Sequence, residues 1–403
     1  MEGFYKNIVV LGAGYGGLTA ALRLSRLFRN SYHIKIHLVD KNPYHTLKTQ
    51  LHEAAVHKYE VVLPIERIIS GRHITFHCGT ITKIDLENKK VVIEDKEIEF
   101  IYIVIALGSK SNFYNIEGLS DFSFPLQSYE DAEKIYNHIS VLCAKASSEQ
   151  DKEKRKEELT FVVGGGGLSG VEFATELSEH INRCMTKYSL DKNELSILLI
   201  EASNRILPSV SDSIRERIEE KLLSKNISLL TNTSIIRVTK DEIFLSDSKS
   251  KKSKTIIWTG GIRISGLIKE SGFRTGSLGR IIVDEFLKAK DYPFVYALGD
   301  NALAINPYTG LPVPAAAQFA LQQGRLVAQN IFSDVYGSQK VGYQPKVLGE
   351  FISLGRHLAA GWLALPFSKR IGFIGFLASL LNTAIKEKHI FLLKKESRNW
   401  ISM

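Results

Sequence analysis

The 403-residue sequence predicts an α/β fold of two parallel-sheet units of the same kind, followed by a C-terminal helical segment. Two glycine-rich turns lie far apart, and each connects a strand-like apolar run to a helical pattern. An acidic residue ends the next strand-like run after each turn, and an apolar stretch bordered by basic residues lies near the C-terminus. Strands that alternate with helices in this way are typical of doubly wound parallel sheets.

The first unit begins with a strand that runs directly into a G-x-G-x-x-G turn formed by Gly12, Gly14 and Gly17. Gly12 permits the tight turn, Gly14 lets a ligand approach the backbone, and Gly17 lets the helix pack close to the sheet. Asp40 follows 23 residues after Gly17, at the end of the strand-like run 34–39. This spacing predicts a nucleotide site at the helix start, where free N–H groups face the phosphates.

The second unit repeats the pattern with Gly165, Gly167 and Gly170. Glu201 follows 31 residues after Gly170, at the end of the run 197–200. A carboxylate at this position accepts hydrogen bonds from a ribose diol and repels a 2′-phosphate, so it favours NADH over NADPH. The unit closes on a strand that ends in two more candidate cofactor-binding glycines, Gly260 and Gly261.

Two copies of the turn, each with its own acid, predict two Rossmann-type domains that bind two dinucleotides on one chain. Such an arrangement suits electron transfer from one cofactor to another. The alternative is that one turn serves only to pack a helix against a sheet. The strand–turn–helix context of both turns favours binding.

The order of the elements predicts a nested organisation. The segments 281–284 and 295–300 look like strands that return to the first domain. We therefore predict four segments: 1–110 (first domain, first part), 111–265 (second domain with flanking linkers), 266–345 (first domain, second part) and 346–403 (C-terminal segment).

The chain carries a formal net charge of +9 and is 44% hydrophobic, as expected for a folded soluble or peripheral protein. An anionic membrane surface and anionic cofactors fit this charge, and no nucleic-acid-binding motif accompanies it. Much of the lysine lies in the segments 152–156 and 249–254, which we predict to be exposed loops. No apolar run reaches the ~20 residues that span a bilayer.

The cysteines Cys78, Cys143 and Cys184 form no C-x-x-C or C-x-x-x-x-C pair, so neither a disulfide framework nor a metal site is predicted. We expect all three thiols to be buried and inert, away from the strand ends. The stretch 41–52, after Asp40, contains no cysteine. Thiol chemistry is therefore disfavoured.

Together these motifs resemble the two-dinucleotide-binding flavoproteins built like glutathione reductase, and within them the type II NADH dehydrogenases. The resemblance covers about residues 5 to 365 and rests on both glycine turns, the segment 44–52, the 258–261 strand end, Gly299-Asp300 and the A-Q-x-A-x-Q motif at 317–322. The family usually has Pro-Pro-Thr before that motif, whereas this chain has Pro314-Ala315-Ala316. The resemblance implies non-covalent FAD at the first turn, NADH at the second and a membrane quinone as electron acceptor. It also assigns cofactor contacts to Lys41, His45, Asp300, Ala317 and Gln318.

Gln318 and Gln322 are four residues apart, so on a helix both amides project from one face and can meet a quinone carbonyl or the flavin edge. Glu172 lies two residues after the second glycine turn, and we place it on the first turn of that helix. The resemblance implies that this carboxylate relays protons or organises the quinone site, although the helix dipole alone also favours an acid there. Glu176 is an alternative partner for a buried base.

The tail contains the 11-residue apolar stretch 371–381, bordered by Lys369, Arg370, Lys386 and Lys388. We predict an amphipathic helix that lies in the interface of an anionic membrane, so the protein would be peripheral on the cytoplasmic face. Lys386 is a candidate for the lysine that the family uses near its tail. The alternative is a buried helix against the body or against a second copy in a homodimer.

Two other functions remain open from the sequence. A sulfide:quinone reductase would require a cysteine for activity. A flavoprotein redox sensor would bind FAD and NADH, reduce quinone slowly and use the basic segments as an interaction surface.

Overall fold

The protein was analysed as a computed structural model that describes residues 5–364 and 370–396. Its strands are β1 (Lys6–Leu11), β2 (Ile34–Asp40), β3 (Tyr44–Thr46), β4 (Val62–Pro64), β5 (Ile74–Cys78), β6 (Ile81–Asp85), β7 (Lys90–Ile93), β8 (Lys96–Glu99), β9 (Tyr102–Ile105), β10 (Lys110–Ser111), β11 (Phe124–Pro125), β12 (Thr160–Gly164), β13 (Ser196–Ile200), β14 (Ile227–Leu230), β15 (Ile235–Val238), β16 (Glu242–Leu245), β17 (Ser250–Lys252), β18 (Thr255–Trp258), β19 (Ile262–Arg263), β20 (Ile281–Ile282), β21 (Val295–Ala297), β22 (Ala302–Leu303), β23 (Gly349–Ser353), β24 (Ala359–Ala364) and β25 (Arg370–Gly375).

Its helices are α1 (Tyr15–Leu27), α2 (Leu51–His57), α3 (Ile65–Ile69), α4 (Leu119–Phe122), α5 (Tyr129–Ser148), α6 (Lys152–Glu158), α7 (Leu168–Lys187), α8 (Asp212–Ser224), α9 (Gly266–Glu270), α10 (Ala317–Tyr336) and α11 (Phe376–Glu396). Short 3₁₀ helices span Lys48–Gln50, Lys192–Glu194, Ser277–Gly279 and Gly299–Asn301.

Two five-stranded parallel sheets form the frame, as the sequence predicted. The first has the strand order β21-β9-β1-β2-β5, and the second has the order β11-β18-β12-β13-β14. The central strands β1 and β12 are largely apolar and buried. In the second sheet, β12, β13 and β18 pack on one face against the antiparallel strands β15 and β16. Since β1 and β12 each lead into a glycine turn, both turns lie at the carboxyl edge of a sheet, where α/β proteins bind ligands.

The two units have similar elements, and after the second unit the chain returns to the first. Each sheet is accompanied by a three-stranded antiparallel meander, β6-β7-β8 or β15-β16-β17. β21 pairs in parallel with β9, so the chain rejoins the first sheet after it has completed the second. β20, which we expected to return in the same way, pairs instead with β22.

The two lysine-rich segments are not loops, which corrects the sequence prediction. Residues 152–156 form most of α6, which Asp151 caps by accepting hydrogen bonds from the backbone N–H groups of Glu153 and Lys154. Residues 250–252 form β17, which pairs with β16. Most of these lysines are exposed, while the backbone N–H and C=O groups are hydrogen-bonded within the capped helix or between the paired strands.

The tail also differs from the prediction of one continuous helix. Residues 370–375 form β25, which pairs antiparallel with β24, and the helix α11 begins only at Phe376. Lys369 lies outside the described residues. No helix within the described parts of the chain is long and apolar enough to cross a membrane.

Candidate dinucleotide and electron-exit site

The two glycine turns have the same backbone geometry. Gly12 has a φ of +100° and Gly165 a φ of +107°, which side chains of L-amino acids rarely adopt. The N–H of each residue donates to the neighbouring parallel strand. Gly12 donates to the Val39 carbonyl of β2 at 2.7 Å, and Gly165 donates to the Ile200 carbonyl of β13 at 2.8 Å. The first position of each turn therefore requires glycine, as the sequence predicted.

Each turn is braced by the acid that follows it. Asp40 accepts a hydrogen bond from the N–H of Ala13 at 2.7 Å, and Glu201 accepts one from the N–H of Gly166 at 2.7 Å. Glu201 also accepts a hydrogen bond from the N–H of Ser203 at 2.8 Å. Burial raises the pKa of Asp40, opposed by the hydrogen bonds that it accepts. Both acids thus lie at the turns, where we predicted them.

The remaining glycines leave room for a ligand and allow close packing. A Cβ on Gly14 or on Gly167 would meet nothing within 4 Å, so the backbone there is open to an approaching group. A Cβ on Gly17 would overlap the Gly12 carbonyl oxygen, and one on Gly170 would overlap the Gly165 carbonyl oxygen. Both turns therefore fit the pyrophosphate of a dinucleotide at a helix start.

The first turn is covered by side chains from distant segments. Buried His45 contacts the Ala13 carbonyl oxygen through Nδ1 at 2.8 Å, and the Tyr15 ring meets it edge-on with 5.2 Å between the ring centroids. His389 of α11 packs on Tyr15 with a centroid distance of 4.7 Å. Burial lowers the pKa of both His45 and His389 to about 4. His45 therefore reaches the first turn, as predicted, while Lys41 is exposed beside Asp40.

The 3₁₀ helix that contains Asp300 lies beside the first turn, since a Cβ on Gly16 would overlap the Leu298 side chain that precedes this helix. The Asp300 carboxylate accepts a hydrogen bond from the Ser109 hydroxyl at 2.6 Å. Fully buried Asn301 accepts a hydrogen bond from the N–H of Gly108 at 2.9 Å. Asp300 is not a helix cap, because the 3₁₀ helix has no side-chain cap and α10 begins only at Ala317.

Lys48 adds a cation that the sequence reasoning missed. Its pKa is lowered by the protein atoms that surround it, and the carboxylates of Asp300 and Asp40 oppose this shift. Lys48 is thus within electrostatic range of both carboxylates.

The second turn packs against the end of β18. A Cβ on Gly165 would lie 2.7 Å from Cα of Gly260, and Thr259 donates its N–H to the Gly164 carbonyl at 2.8 Å. Gly261 has a φ of +157°, which L side chains rarely adopt, and a Cβ there would overlap the Tyr114 hydroxyl. The structure thus brings Gly260 and Gly261 to the second turn.

Gln318 and Gln322 lie on one face of α10, as the spacing predicted. Gln318 donates to the Gly349 carbonyl at 3.3 Å and accepts from the N–H of Leu348 at 3.1 Å. Gln322 binds both backbone groups of Lys346, at 2.8 and 2.9 Å. Both amides therefore hold the segment 346–349 against α10, and Ala317 is the first residue of that helix.

Glu172 lies at the centre of a cluster of titratable groups. It is the fifth residue of α7, so our placement on the first helical turn was wrong and no acid occupies that turn. Its carboxylate accepts a hydrogen bond from the N–H of Ser353 at 3.0 Å and lies 3.6 Å from Nδ1 of His52. His52 is only 3% exposed, and its Nε2 has no hydrogen-bond partner. Specific contacts, rather than the helix dipole, therefore hold the carboxylate.

The cluster extends to the tail through Glu53. Lys386 of α11 forms an ion pair with Glu53 at 2.5 Å, and Glu53 lies 3.6 Å from Nε2 of His52. Burial lowers the pKa of His52, but Glu172 and Glu53 outweigh it, so that the pKa is raised. Burial acts to raise the pKa of Glu53, but the cations His52 and Lys386 lower it to about 2. Lys386 thus faces inward, which corrects our placement of it at lipid headgroups.

Glu350 and Glu176 border the same cluster. Burial raises the pKa of Glu350, and the negative charge of Glu172 adds to this shift. Glu176 contacts Nε2 of His57 at 2.9 Å, so it is the partner of a partly buried base, the alternative that the sequence left open. Arg183 contacts the other ring nitrogen of His57 at 3.2 Å.

The three thiols differ in burial, contrary to our prediction. Cys143 is 1% exposed, Cys184 is half-buried and Cys78 is exposed. Cys78 is also the last residue of β5, beside Asp40, whereas we expected no cysteine at a strand end. Cys143 and Cys184 lie on α5 and α7, so Cys78 is the only one of the chain's three cysteines at this edge.

Sequence reasoning missed His52, Glu53 and Ser353 as parts of the site. The segment 44–52 was noted for its resemblance, but the contacts of His52 and Glu53 are made with Glu172 and Lys386, more than 100 positions away. The adjacent pair His52-Glu53 is the one local signal, and it does not identify the partner helices. Ser109 and Gln323 were missed for the same reason, since Gln323 accepts a hydrogen bond from the N–H of Gly299 at 2.6 Å.

Comparison with known proteins places these features in a family. A sequence profile of the pyridine nucleotide-disulphide oxidoreductase family matches residues 6–324. The chain is similar to the type II NADH:quinone oxidoreductase of Staphylococcus aureus, with 31% identity over 393 residues that cover 96% of this chain and 95% of the relative.

Solved structures show the same fold. The NDH2 structure from Plasmodium falciparum in complex with NADH superposes with a TM-score of 0.85 at 20% identity, covering 98% of this chain and 96% of that one. The sulfide:quinone oxidoreductase of Aquifex aeolicus superposes with a TM-score of 0.80 at 20% identity, covering 98% and 92%.

Proposed function

Since the chain belongs to the pyridine nucleotide-disulphide oxidoreductases and, within them, to the type II NADH:quinone oxidoreductases, we propose how its residues divide that reaction among three sites. The enzyme is FAD-dependent and oxidises NADH with a quinone as acceptor. We assign FAD to the turn at Gly12, NADH to the turn at Gly165 and the quinone to the region of α10 and the tail. One observation carries this assignment. The two turns have the same backbone geometry, but side chains from distant segments cover the first turn and leave the second more exposed.

The first site would hold FAD through Gly14, Asp40, His45 and Asp300, and bound FAD would supply hydride acceptance and electron delivery. The backbone at Gly14 has space for the pyrophosphate, and the carboxylates of Asp40 and Asp300 offer acceptors. Ala317 and Gln318 begin α10, so their N–H groups have no partner within the helix and face outward from its start. Lys41 and Lys48 add positive charge beside the carboxylates.

The second site would hold NADH through Gly167, Glu201, Gly260 and Gly261. Glu201 already accepts two backbone N–H bonds, which fix its carboxylate in the position where a ribose diol would lie. A 2′-phosphate placed there would meet this negative charge, so we expect NADH to be preferred.

Glu172 would hold and move protons for quinone reduction. It contacts buried His52, whose pKa is raised because the carboxylates of Glu172 and Glu53 outweigh burial, and it borders Glu350, whose pKa is raised by burial and by the charge of Glu172. Gln318 and Gln322 would position the segment 346–349 so that Glu350 and Ser353 stay beside Glu172. Each amide retains hydrogen-bonding capacity toward a quinone carbonyl.

The test of this function compares two electron donors. With a short-chain ubiquinone or menaquinone analogue, we expect NADH to be oxidised and the quinone to be reduced in a 1:1 ratio. Sulfide in place of NADH should give less than a hundredth of that rate, because the two thiols that are close together lie on α5 and α7 rather than at the first turn. Faster quinone reduction with sulfide than with NADH would contradict the assignment, and so would NADH binding without quinone reduction.

We propose in addition that the tail binds the cytoplasmic face of an anionic membrane, which would bring the site to its lipid-soluble acceptor. α11 leaves Phe376, Leu377 and Leu380 more than half exposed, and Phe391 is 63% exposed. Exposed apolar side chains in this number on one helix favour contact with an apolar partner. Exposed Lys388 and Lys395 add positive charge.

Vesicles of phosphatidylglycerol and phosphatidylcholine provide the test. The triple variant F376S/L377S/L380S should co-sediment at least tenfold more weakly than the natural protein, because each buried apolar side chain contributes about 1.5 to 3 kcal/mol. The control Y308S/L311S alters two side chains that are as exposed but lie far from α11 in sequence, and it should bind normally. Unchanged binding of the triple variant would contradict the proposal. A dimer that the triple variant dissociates would show instead that the face is a homodimer contact.

A further inference from the structure

The helices α5 and α7 bring together two cysteines that play no part in the reaction described above. Cys143 of α5 lies beside Cys184 of α7, and the two thiols share a hydrogen bond. His180, one turn earlier on α7, places Nε2 at 3.6 Å from Sγ of Cys184. Cys143 is 1% exposed, whereas Cys184 is half-buried and so can be reached from solvent.

We propose that Cys143 and Cys184 form a peroxide-reactive dithiol, in which Cys184 is the attacking thiol and Cys143 the resolving thiol. The proposal concerns a modification site, and it is independent of the NADH:quinone reaction. It follows from the pairing of one accessible and one buried sulfur beside a histidine.

The contacts give the two thiols opposite tendencies to ionise. The hydrogen bond from Cys143 is the largest cause that lowers the pKa of Cys184, to about 5, and His180 and Lys187 add to it. The same hydrogen bond, together with burial, raises the pKa of Cys143. Contact with Cys143 and His180 therefore favours the thiolate at the accessible Cys184, and the thiolate is the nucleophilic form.

His180 is itself surrounded by groups that orient its ring. The rings of His57 and Tyr136 lie 6.0 and 6.4 Å from it, centroid to centroid. The groups facing Cys184 are thus His180 and Lys187 from α7 and Cys143 from α5. None of these is a carboxylate that would oppose the negative charge of the thiolate.

Oxidation by hydrogen peroxide would proceed in two balanced steps. The Cys184 thiolate attacks one peroxide oxygen, the O–O bond breaks, and a sulfenic acid and hydroxide form. The Cys143 thiol then attacks the Cys184 sulfur, an S–S bond forms, and water leaves with the proton of the thiol. Two thiols lose two electrons in total, and one peroxide gains them.

Cys78 is a natural internal reference for this chemistry. It is exposed and ends β5, and both other cysteines of the chain are engaged with each other. Its nearest polar contact is the Lys41 carbonyl, 3.6 Å from its sulfur. Its alkylation therefore provides a comparison for that of Cys184 in the same sample.

The experiment measures iodoacetamide alkylation of the flavin-loaded full chain between pH 6 and 8.5, with peptide mapping of each cysteine. The rate at Cys184 should change less than twofold across this range, whereas the rate of a free thiol, measured on added glutathione, should rise about tenfold per pH unit below 8. C143A or H180Q should make the Cys184 profile rise with pH, while H33Q, a change at an exposed histidine elsewhere, should leave it flat. A Cys184 profile parallel to that of glutathione would overturn the proposal.

Peroxide treatment gives the second readout. One equivalent of hydrogen peroxide should produce an intrachain 143–184 disulfide, in the natural protein and in C78S alike, and none in C143A. Peroxide that leaves both thiols free, or that oxidises Cys184 to a sulfinic acid while Cys143 remains a thiol in the natural protein, would refute the resolving role. If C143A fails to retain flavin, the H180Q profile and the disulfide mapping of C78S still decide the matter.

Discussion

The turn at Gly12 and the turn at Gly165 are alike in their backbone but differ in their surroundings. Their φ values differ by 7°, and each is braced at 2.7 Å by an acid from the next strand. Gly14 and Gly167 are both exposed, and Gly17 and Gly170 are both buried. The difference lies between them, because Tyr15 is half-buried and Gly16 is buried at the first turn, whereas Leu168 and Ser169 at the second turn are exposed.

The cover of the first turn comes from remote parts of the chain. His45 and His389 pack around Tyr15, and α10 crosses α1 so closely that a Cβ on Gly324 would overlap the Gly16 carbonyl oxygen. The second turn has no comparable cover among the described residues. We therefore propose that local sequence builds each dinucleotide site and that the tertiary cover retains the cofactor at the first turn.

The largest effects are expected from filling the open space at each turn. Gly14→Val should reduce the flavin content more than tenfold, because the new side chain would occupy the place of the pyrophosphate. Gly167→Val should leave one flavin per chain and raise KM for NADH more than tenfold. Both positions have negative φ and no neighbour within 4 Å, so the substitutions do not strain the protein itself.

Absorbance of the purified variants and NADH kinetics measure these outcomes. Flavin loss from Gly167→Val with flavin retained by Gly14→Val would reverse the assignment of the two turns.

A smaller effect, confined to the second half of the reaction, is expected at Glu172. Glu172→Gln should slow quinone reduction about 100-fold, the usual contribution of a positioned proton donor or acceptor. Reduction of the flavin by NADH should stay within threefold, because Glu172 contacts Ser353 and His52 rather than the second turn.

Glu179→Gln is the matched control, since Glu179 lies on the same helix but pairs with Lys225. Rapid mixing separates the two half-reactions. Equal slowing of both by Glu172→Gln, or the same loss in the control, would argue against a role in quinone reduction.

Substitution of Glu201 should change the preference between NADH and NADPH, whereas substitution of Asp40 should change flavin retention. Glu201→Gln should improve kcat/KM for NADPH relative to NADH about tenfold, equivalent to about 1.4 kcal/mol, because a charge that repels the 2′-phosphate is removed. Asp40→Asn should leave this ratio unchanged and weaken flavin retention. A change of coenzyme preference with Asp40→Asn alone would contradict the division between the turns.

The smallest effect concerns pH and the cover of the first turn. The pKa of His389 is lowered to about 4 from 6.5, so the folded chain binds fewer protons than the unfolded chain between these values, and stability falls as the pH drops from 6.5 toward 4. Each pH unit in this window costs about 1.4 kcal/mol per histidine. His389→Gln should therefore reduce the loss of Tm between pH 6.5 and 5 by about 2 to 4 °C.

His33→Gln, at an exposed position, is the control and should follow the natural protein. An equal decline of Tm in all three proteins would show that His389 does not lie buried over the first turn.

The parts of the fold that depend on local sequence were predictable. Gly12 and Gly165 have a positive φ at a strand end. The apolar run and the glycine spacing around each of them are enough to predict this turn from the sequence. The tail was less predictable, because residues 371–375 are as compatible with a strand as with a helix and pair with β24 only in the folded chain. The prediction of loops at the lysine-rich segments was wrong for a related reason. Charge indicates that side chains are exposed, but it does not indicate whether the backbone forms a capped helix or a paired strand.

The candidate site was predictable in its glycines and acids but not in its contacts. Gln318 and Gln322 were placed on one helical face correctly. Their hydrogen bonds to the segment 346–349 could not be predicted, because the spacing of the two glutamines does not indicate which segment packs on that face. The contacts Glu172–His52 and Lys386–Glu53 join residues far apart in sequence. Only the packing of α2, α7 and α11 brings them together.

Anaerobic rapid mixing of the gel-filtered protein tests the central claim most directly. We predict that the protein retains one flavin per chain and no nicotinamide, that NADH bleaches the flavin absorbance, and that an added quinone restores it within the turnover time. Retained nicotinamide with lost flavin, or a flavin that NADH does not bleach, would contradict an enclosed first turn for FAD and an open second turn for NADH.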